Sequence, residues 1–245
     1  MPIWKRIVVL ANSIKRHHRC VAGKEIAWDG AQWCVGSWIR PIDRSDAEGA
    51  VALNVMRCED GGFPDVLDIV DVPLLQPAND ANHPEDWLLD TGQKWKRAAK
   101  FSAAGINLLV DSPATLWSHS TQPKKVPGGY VSTMPGAASL YLIKPPVGWE
   151  FVQFLDTLWM NGLPTEQKRT RSLLRFTLGG QQHAFDIKDP HWREHYGQHV
   201  SVPVTGSIVV PIANPDCVHF TLSLTPPFNG WHYKILAAVI EGGAS

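Results

Sequence analysis

The sequence predicts a mainly β protein with a few short helices, folded as two small barrels in tandem. Three observations lead to this prediction. Short runs of β-branched and aromatic residues recur along the chain, glycine and proline are frequent (20 and 19 of 245 residues), and the few helix signals lie between two groups of strands. A parallel α/β sheet would instead alternate its strands with long helices.

The composition is that of a globular chain. Hydrophobic residues make up 44% and charged residues 19%, which excludes a disordered chain. No apolar run approaches the ~18 residues of a membrane helix, and the run at residues 7–11 is too short for a signal peptide. We therefore expect a cytoplasmic protein without a membrane partner. The four cysteines form no C-x-x-C pair, so we expect buried, reduced thiols.

Strand signals occur in two groups. In the first half, residues 6–11, 32–41 and 66–75 are apolar or alternate apolar with polar residues. The second half contains six further predicted strands, at residues 139–143, 172–178, 181–187, 207–211, 218–224 and 231–240. Gly179 and Gly180 separate two of them and tolerate the positive φ of a two-residue turn, so we expect a hairpin there.

Helix signals are few. Asp111 and Asp189 each precede a proline within two residues, which predicts a capped short helix after each of them, the second ending at Gly197. Residues 151–160 fit either a helix or a strand. The proline- and glycine-rich residues 118–136 separate the two strand groups. We therefore predict an N-terminal OB-like domain with a helical segment over residues 1–125 and a C-terminal OB-like domain over residues 126–245.

The zero net charge conceals segregated blocks of charge. Residues 1–40 carry a net +5, residues 41–93 a net −10, residues 94–175 a net +7 and residues 176–245 a net −2. Clustered cations create a local positive potential even on a neutral molecule, which indicates a polyanionic partner, DNA or RNA. The alternative is that the acidic block neutralises the basic blocks across ordinary solvated faces.

The first basic block predicts a nucleic-acid-binding site. Residues 12–19 follow a strand and concentrate cations in what we interpret as the loop between strands 1 and 2, which borders the binding face of an OB barrel. Trp38 and Arg40 lie two residues apart, so they share one face of a strand. The alternative for the loop is simple turn formation. The predicted binding residues are Asn12, Ser13, Lys15, Arg19, Lys24, Trp38, Arg40, Trp95, Lys96 and Lys234.

Some of these residues have a structural alternative. Trp95 lies among four cations, but it would equally face the core from an amphipathic helix. Lys234 would also suit the edge of a barrel, where lysine opposes strand pairing. The basic run at residues 166–175 fits either a mobile loop that wraps nucleic acid or a solubilising insertion.

Several stretches carry a resemblance to a known family: LANSIK at residues 10–15, RCVAG at 19–23, SWIRP at 37–41, SLTPPFNG at 223–230 and YKILAA at 233–238. They resemble the dual OB-containing (DuOB) domain of prokaryotes, and weaker similarity extends over nearly the whole chain. The resemblance implies two OB-like barrels and a nucleic-acid-binding accessory factor of a defence or mobile-element system. The chain departs from the family pattern at residues 16–18 and at residues 160–171, which look like an insertion.

Catalytic and metal motifs are weak. His191, His195 and His199 have the i, i+4, i+8 spacing of a helical face, but Gly197 interrupts it and H-E-x-x-H is absent. Phosphate-binding, dinucleotide and hydrolase motifs are also absent. We expect no cofactor and no metal, and binding rather than catalysis. The first alternative is an enzyme or sensor that acts on a small nucleotide-like ligand at residues 12–19, using Cys20 or a histidine. The second is a protein-interaction adaptor in a defence complex.

Overall fold

The computed structural model describes residues 1–15, 18–118, 122–134, 136, 138–160, 163–197 and 201–242, with only the backbone of Lys15 and Trp159. Strands account for 53% of the residues and helices for 8%, so the protein is mainly β, as predicted. No helix in the described part of the chain is both long and apolar enough to span a membrane.

The first sheet closes into a barrel. Its strands are β1 (Ile3–Lys15), β2 (His18–Trp28), β3 (Trp33–Ile42), β4 (Asp68–Pro77), β5 (Asp86–Leu89) and β6 (Lys96–Lys100). They pair in the order β1-β2-β3-β5-β4-β6, and β1 also pairs with β4, which closes five strands into a barrel. Within it β3 and β5 are parallel, and the other pairs are antiparallel. This is the architecture of an OB fold.

A glycine allows β1 and β2 to bend around this barrel. The register of the two strands shifts between Val9 and Ala11, opposite Gly23. A Cβ atom on Gly23 would lie 2.1 Å from the carbonyl oxygen of Val8, so only glycine fits this close approach of two backbones.

The second sheet contains eight strands: β7 (Lys125–Pro127), β8 (Leu140–Ile143), β9 (Glu150–Met160), β10 (Leu163–Leu178), β11 (Gln181–Ile187), β12 (Ser207–Val210), β13 (Val218–Leu224) and β14 (Trp231–Glu241). Seven of them pair in the order β12-β9-β10-β11-β14-β13-β8, and β7 pairs with β14. The helix α1 (Pro190–His195) follows β11, and short 3₁₀ helices occupy Ala103–Leu109, Val131–Thr133 and Pro215–Cys217.

The two sheets repeat one strand order. The series β9-β10-β11-β14-β13 matches β1-β2-β3-β5-β4 of the first barrel, and β11 and β14 are parallel as β3 and β5 are. The outer edges of β9 and β13 pair with β12 and β8 rather than with each other among the described residues. The predicted duplication of fold is confirmed. The predicted limits of the domains, residues 1–125 and 126–245, stay a prediction.

The two sheets pack against each other through β1. One hydrophobic cluster combines Val8 and Leu10 of β1 with Leu142, Ala238 and Ile240 of the second sheet. The hydroxyl of Thr221 donates a hydrogen bond of 2.6 Å to the carbonyl oxygen of Leu10. Each sheet also encloses a hydrophobic cluster of its own, around Trp95 in the first and Phe151 in the second.

Several local predictions are confirmed. Gly179 and Gly180 have φ of 59° and 75° and connect β10 to β11 as a hairpin. Asp189 caps α1 by accepting a hydrogen bond from the backbone N–H of His191. The ambiguous residues 151–160 belong to a strand, β9.

Other local predictions are wrong. Residues 111–118 form no helix, because the carboxylate of Asp111 binds partners distant in sequence instead of capping its own segment. The described part of the predicted loop, residues 12–15 and 18–19, is strand: Asn12, Ser13 and Ile14 pair with Val21, Cys20 and Arg19. Polar side chains do not prevent pairing, since the ladder is made by the backbone.

Candidate nucleic-acid interface

Lys24 and Trp38 bind one carboxylate of the chain itself. The ammonium of Lys24 lies 2.6 Å from Oδ1 of Asp111, and the indole N–H of Trp38 donates to Oδ2 of Asp111 at 3.0 Å. The Lys24 ammonium also lies 5.5 Å from the ring centroid of Trp38. Lys24 is buried and Trp38 half-buried, so these two side chains hold the fold together rather than line an open groove.

Arg40 is buried in a polar cluster of the first barrel. Its Nε donates to Oδ1 of Asp86 at 2.5 Å. Burial acts to lower the pKa of Arg40, but the charges of Asp86 and Glu85 outweigh it and raise the pKa above its ordinary value. The guanidinium is therefore permanently charged and already paired.

Two of the remaining predicted residues of the amino-terminal strands, Asn12 and Arg19, also have hydrogen-bond partners within the chain. Asn12 donates its amide to the carbonyl oxygen of Pro64 at 2.8 Å, and Ser13 is buried. Arg19 is half-buried and donates a long bond of 3.5 Å to the carbonyl oxygen of Asn12. The side chain of Lys15 lies outside the described part of the chain.

The three predicted residues farther along the chain are separated. Trp95 is fully buried in the core of the first barrel, immediately before a strand and not on the helix considered above. Lys96 is exposed, lies 4.8 Å from the ring centroid of Trp4 and pairs with Glu59 at 3.5 Å. Lys234 is buried on β14, which lies inside the second sheet between β11 and β13 and not at a barrel edge.

Lys234 and His183 form a buried nitrogen pair. The ammonium nitrogen of Lys234 lies 3.1 Å from Nδ1 of His183. Burial lowers the pKa of Lys234 to about 8, and burial together with the charge of Lys234 lowers the pKa of His183 to about 4. Half of the ten predicted residues are thus buried, and they do not line one open trough. Their part in nucleic-acid binding stays a prediction.

Three arginines instead lie on one face of β10, with the buried Leu173 between the second and the third. Successive side chains of a strand point to opposite faces, and Leu174 and Phe176 point into the core. Arg169, Arg171 and Arg175 therefore share the outer face, where 48%, 26% and 44% of their side-chain surface is exposed. The arginine-bearing segment is a long strand, so the mobile loop considered from the sequence is wrong.

The ion pairs of these arginines are mostly long. Arg169 lies 3.9 Å from Asp156, and Arg175 lies 3.9 Å from Glu150. Arg171 makes the one short bond of the row, 2.5 Å to Asp186. Exposed pairs contribute only about 0–1 kcal/mol, so an anionic ligand can compete for the two outer arginines.

Two open clefts lie along β10. The first has a volume of about 580 Å³ and is lined by Arg169, Arg171, Lys188 and Arg193, with Asp186 and Asp189 among its walls. The second, of about 450 Å³, is lined by Lys124 and Arg175. Among the described residues, Lys188 and Arg193 have no carboxylate within ion-pair distance.

An aromatic ring lies beside the arginines. Phe154 of β9 is the register partner of Arg171, so both side chains lie on the outer face. The Phe154 ring is half-buried, and the ammonium of Lys124 lies 5.6 Å from its centroid. We name Lys124, Arg169, Arg171, Arg175 and Lys188 together the basic face. The strands that carry it, β10 and β11, correspond to β2 and β3 of the first barrel, and this is the pair on which OB folds bind oligonucleotides.

Sequence reasoning noticed the basic run but not this face. The signal that would have revealed it is the period of two among Arg169, Arg171 and Arg175, which places them on one side of a strand. Lys188 belongs to the basic face only because β11 pairs with β10 and β14, and the sequence does not show this pairing.

Two small cavities lie near Cys20, where the alternative ligand site was expected. One, of about 100 Å³, lies between the two sheets, and the other, of about 220 Å³, lies on the first barrel. Both are below the roughly 300–1,000 Å³ of small-molecule sites. His191 and His195 are neighbours on α1 with ring centroids 3.8 Å apart, and His199 lies outside the described residues.

Comparison with known proteins adds one match. The model of a protein family described as the dual OB-containing (DuOB) domain matches residues 5–239. No curated protein and no solved structure matches the chain.

Proposed function

The chain belongs to the dual OB-containing domain family, and on this premise we propose that it binds single-stranded DNA or RNA along the basic face of its second sheet. OB folds commonly bind nucleic acid. The family resemblance adds an accessory role in a prokaryotic defence or mobile-element system. The protein acts here as a binder and not as a catalyst.

One observation carries the proposal: the row of Arg169, Arg171 and Arg175 on the outer face of an OB strand. Six residues of strand separate the first from the last, a distance of about 20 Å. This length suits the four or more nucleotides that one OB fold contacts. Guanidinium groups bind phosphate bidentately, and the long ion pairs of Arg169 and Arg175 leave these two available.

An aromatic ring beside the three arginines favours single-stranded over double-stranded nucleic acid as the ligand. Phe154 lies beside Arg171 and under Lys124, where a base that has left its stack can contact the ring while phosphates meet the cations. A duplex keeps its bases stacked and offers only its backbone. We therefore expect tighter binding of single strands.

The test uses fluorescence anisotropy with labelled oligo(dT) and oligo(U) of about 15 nucleotides, near the upper site size of an OB fold. The double variant Arg169→Glu/Arg175→Glu reverses two exposed charges and is expected to weaken binding at least about tenfold. The matched control Arg57→Glu/Lys94→Glu reverses two exposed cations in the connections of the first barrel and is expected to bind like wild type.

The amino-terminal trough predicted from the sequence is tested in the same assay. If Arg19→Glu abolishes binding while Arg169→Glu/Arg175→Glu does not, the ligand lies on the first barrel and the proposal is wrong. Equal losses in all variants would indicate binding by diffuse charge, which also contradicts it. Absence of binding to every oligonucleotide would favour the adaptor hypothesis.

A further inference from the structure

Three potential metal ligands converge where β4 connects to β5. Asp80 and His83 belong to the connection, and Asp86 begins β5. One ligand atom from each residue lies within 4.8 Å of the other two. Among the described residues, these three form the one group of His, Cys, Asp or Glu side chains close enough to share a metal ion. Metal–ligand bonds of about 2.0–2.2 Å require slightly closer atoms, a change that side-chain rotation supplies.

The imidazole of His83 has an unsatisfied nitrogen. His83 is 98% buried, since its relative exposure is 2%, and its Nδ1 lies 3.2 Å from Oδ2 of Asp80. Its Nε2 is buried and has no hydrogen-bond partner among the described residues. The neighbouring ring of His232 does not supply one, because His232 bonds the carbonyl oxygen of Thr225 and the N–H of Gly129. A buried polar atom without a partner is unfavourable, so Nε2 needs a water molecule or another ligand, whereas Nδ1, which faces Asp80, is the nitrogen that an ion shared with Asp80 would use.

The charge around His83 is unbalanced. Asp80, Glu85 and Asp86 place three carboxylates near one another, and Arg40 is the cation that pairs with them. The hydroxyl of Ser139 donates a hydrogen bond to Glu85 but adds no charge. Asp86 and Glu85 are both buried and Arg40 balances one of them, so one negative charge in excess lies in the interior, and the exposed Asp80 adds a second beside it. A divalent cation would neutralise them.

The adjoining cavity is suited to a cation. It has a volume of about 220 Å³, and its walls include His83, Asp80 and Asp86 together with Asp43, Asp46 and Glu48. Arg40 and Arg44 are its two guanidinium groups. Five carboxylates against two guanidinium groups make this cavity unfavourable for phosphate, in contrast to the clefts of the basic face.

We propose that the first barrel binds one divalent metal ion between Asp80, His83 and Asp86. One imidazole nitrogen with carboxylate oxygens is a donor set that both the hard ion Mn²⁺ and the borderline ion Zn²⁺ accept. Arg40 is a positioning residue, because it holds Oδ1 of Asp86 and leaves the other carboxylate oxygen available. This inference is independent of the proposed function of the second sheet.

The test titrates the full chain with MnCl₂ and follows free Mn²⁺ by its electron paramagnetic resonance signal. Mn²⁺ is chosen because thiolates compete poorly for it, and the chain has four cysteines. One saturable Mn²⁺ per chain is expected. Asp80→Asn, at an accessible carboxylate, is expected to weaken Mn²⁺ binding at least about tenfold.

Two further variants make the result specific. His83→Gln retains hydrogen-bonding capacity but removes the imidazole, and it is expected to lose the bound ion. Asp29→Asn is the matched control, since Asp29 is an exposed aspartate that accepts backbone N–H bonds in a turn, as Asp80 does. Absence of a saturable Mn²⁺ site in wild type overturns the proposal. Unchanged binding in Asp80→Asn, or an equal loss in Asp29→Asn, also overturns it.

Discussion

The ammonium of Lys24 lies 2.6 Å from Oδ1 of Asp111, and this pair joins the first barrel to the second sheet. Oδ2 of the same carboxylate accepts hydrogen bonds from the indole of Trp38 and from the backbone N–H of Leu142 in β8. One side chain thus satisfies three donors from both sheets. The contact explains why two residues that look like a ligand surface in the sequence serve the assembly of the fold.

Asp111→Asn is expected to lower the free energy of unfolding by about 2–4 kcal/mol, because it leaves a buried ammonium without its counter-charge. Urea unfolding at pH 7 measures the loss. The double variant Lys24→Met/Asp111→Asn removes the stranded charge as well and is expected to recover part of the stability. A double variant less stable than Asp111→Asn would contradict the assigned cause.

Gly23→Ala is expected to destabilise the first barrel by about 1–3 kcal/mol or more. The added Cβ would lie 2.1 Å from the carbonyl oxygen of Val8, and a backbone atom cannot move aside as a side chain can. Gly36→Ala, in β3 of the same barrel, is the control, since its nearest contact would be Cβ of Glu25 at 3.1 Å and not a backbone atom at 2.1 Å. Thermal unfolding of the two variants should differ clearly, and equal melting temperatures would show that β1 and β2 can separate without loss.

The buried Lys234 predicts a distinctive pH dependence of stability. Its pKa is lowered to about 8 in the folded chain, against about 10.4 in an unfolded one. Between these values the unfolded state binds more protons, so stability rises with pH by about 1.4 kcal/mol per pH unit. Below about pH 8 the buried charge destabilises the fold in full.

Lys234→Met removes this titration. The stability of wild type relative to Lys234→Met is expected to increase by about 2 kcal/mol from pH 7.5 to pH 9.5. Urea unfolding at both pH values measures it. Parallel stability profiles of the two proteins would mean that the ammonium titrates normally in the folded state.

The parts of the fold that local chemistry determines could be predicted from the sequence. Gly179-Gly180 specifies its hairpin because both residues need a positive φ, and Asp189-Pro190 specifies the start of α1 through its cap. Asp111 has the same local pattern, yet its carboxylate binds Lys24 and Trp38, and no helix forms. Contacts distant in sequence thus decided the outcome of two similar signals.

The candidate site was harder to predict, for the same reason. Trp38 and Arg40 do share a strand face by spacing, but the sequence does not show that Asp111 and Asp86 meet them. Conversely, the basic face needs the strand predicted at residues 172–178 to begin at residue 163, and the charge and polarity of residues 163–171 are typical of a loop. Pairing with β9 supplies the order that the residues of β10 alone do not indicate.

Salt dependence gives a quantitative test of the basic face. For single strands the slope of log affinity against log salt is about −0.7 per phosphate neutralised, so its five cations predict a slope near −3.5. Arg169→Gln/Arg175→Gln removes two exposed contacts and should reduce the slope in magnitude by about 1.4. Anisotropy titrations of oligo(dT) at several salt concentrations measure both slopes, with Lys94→Gln as control. If the variant and wild type have the same slope, Arg169 and Arg175 do not contact phosphate, and the ligand of this OB fold lies elsewhere on the chain.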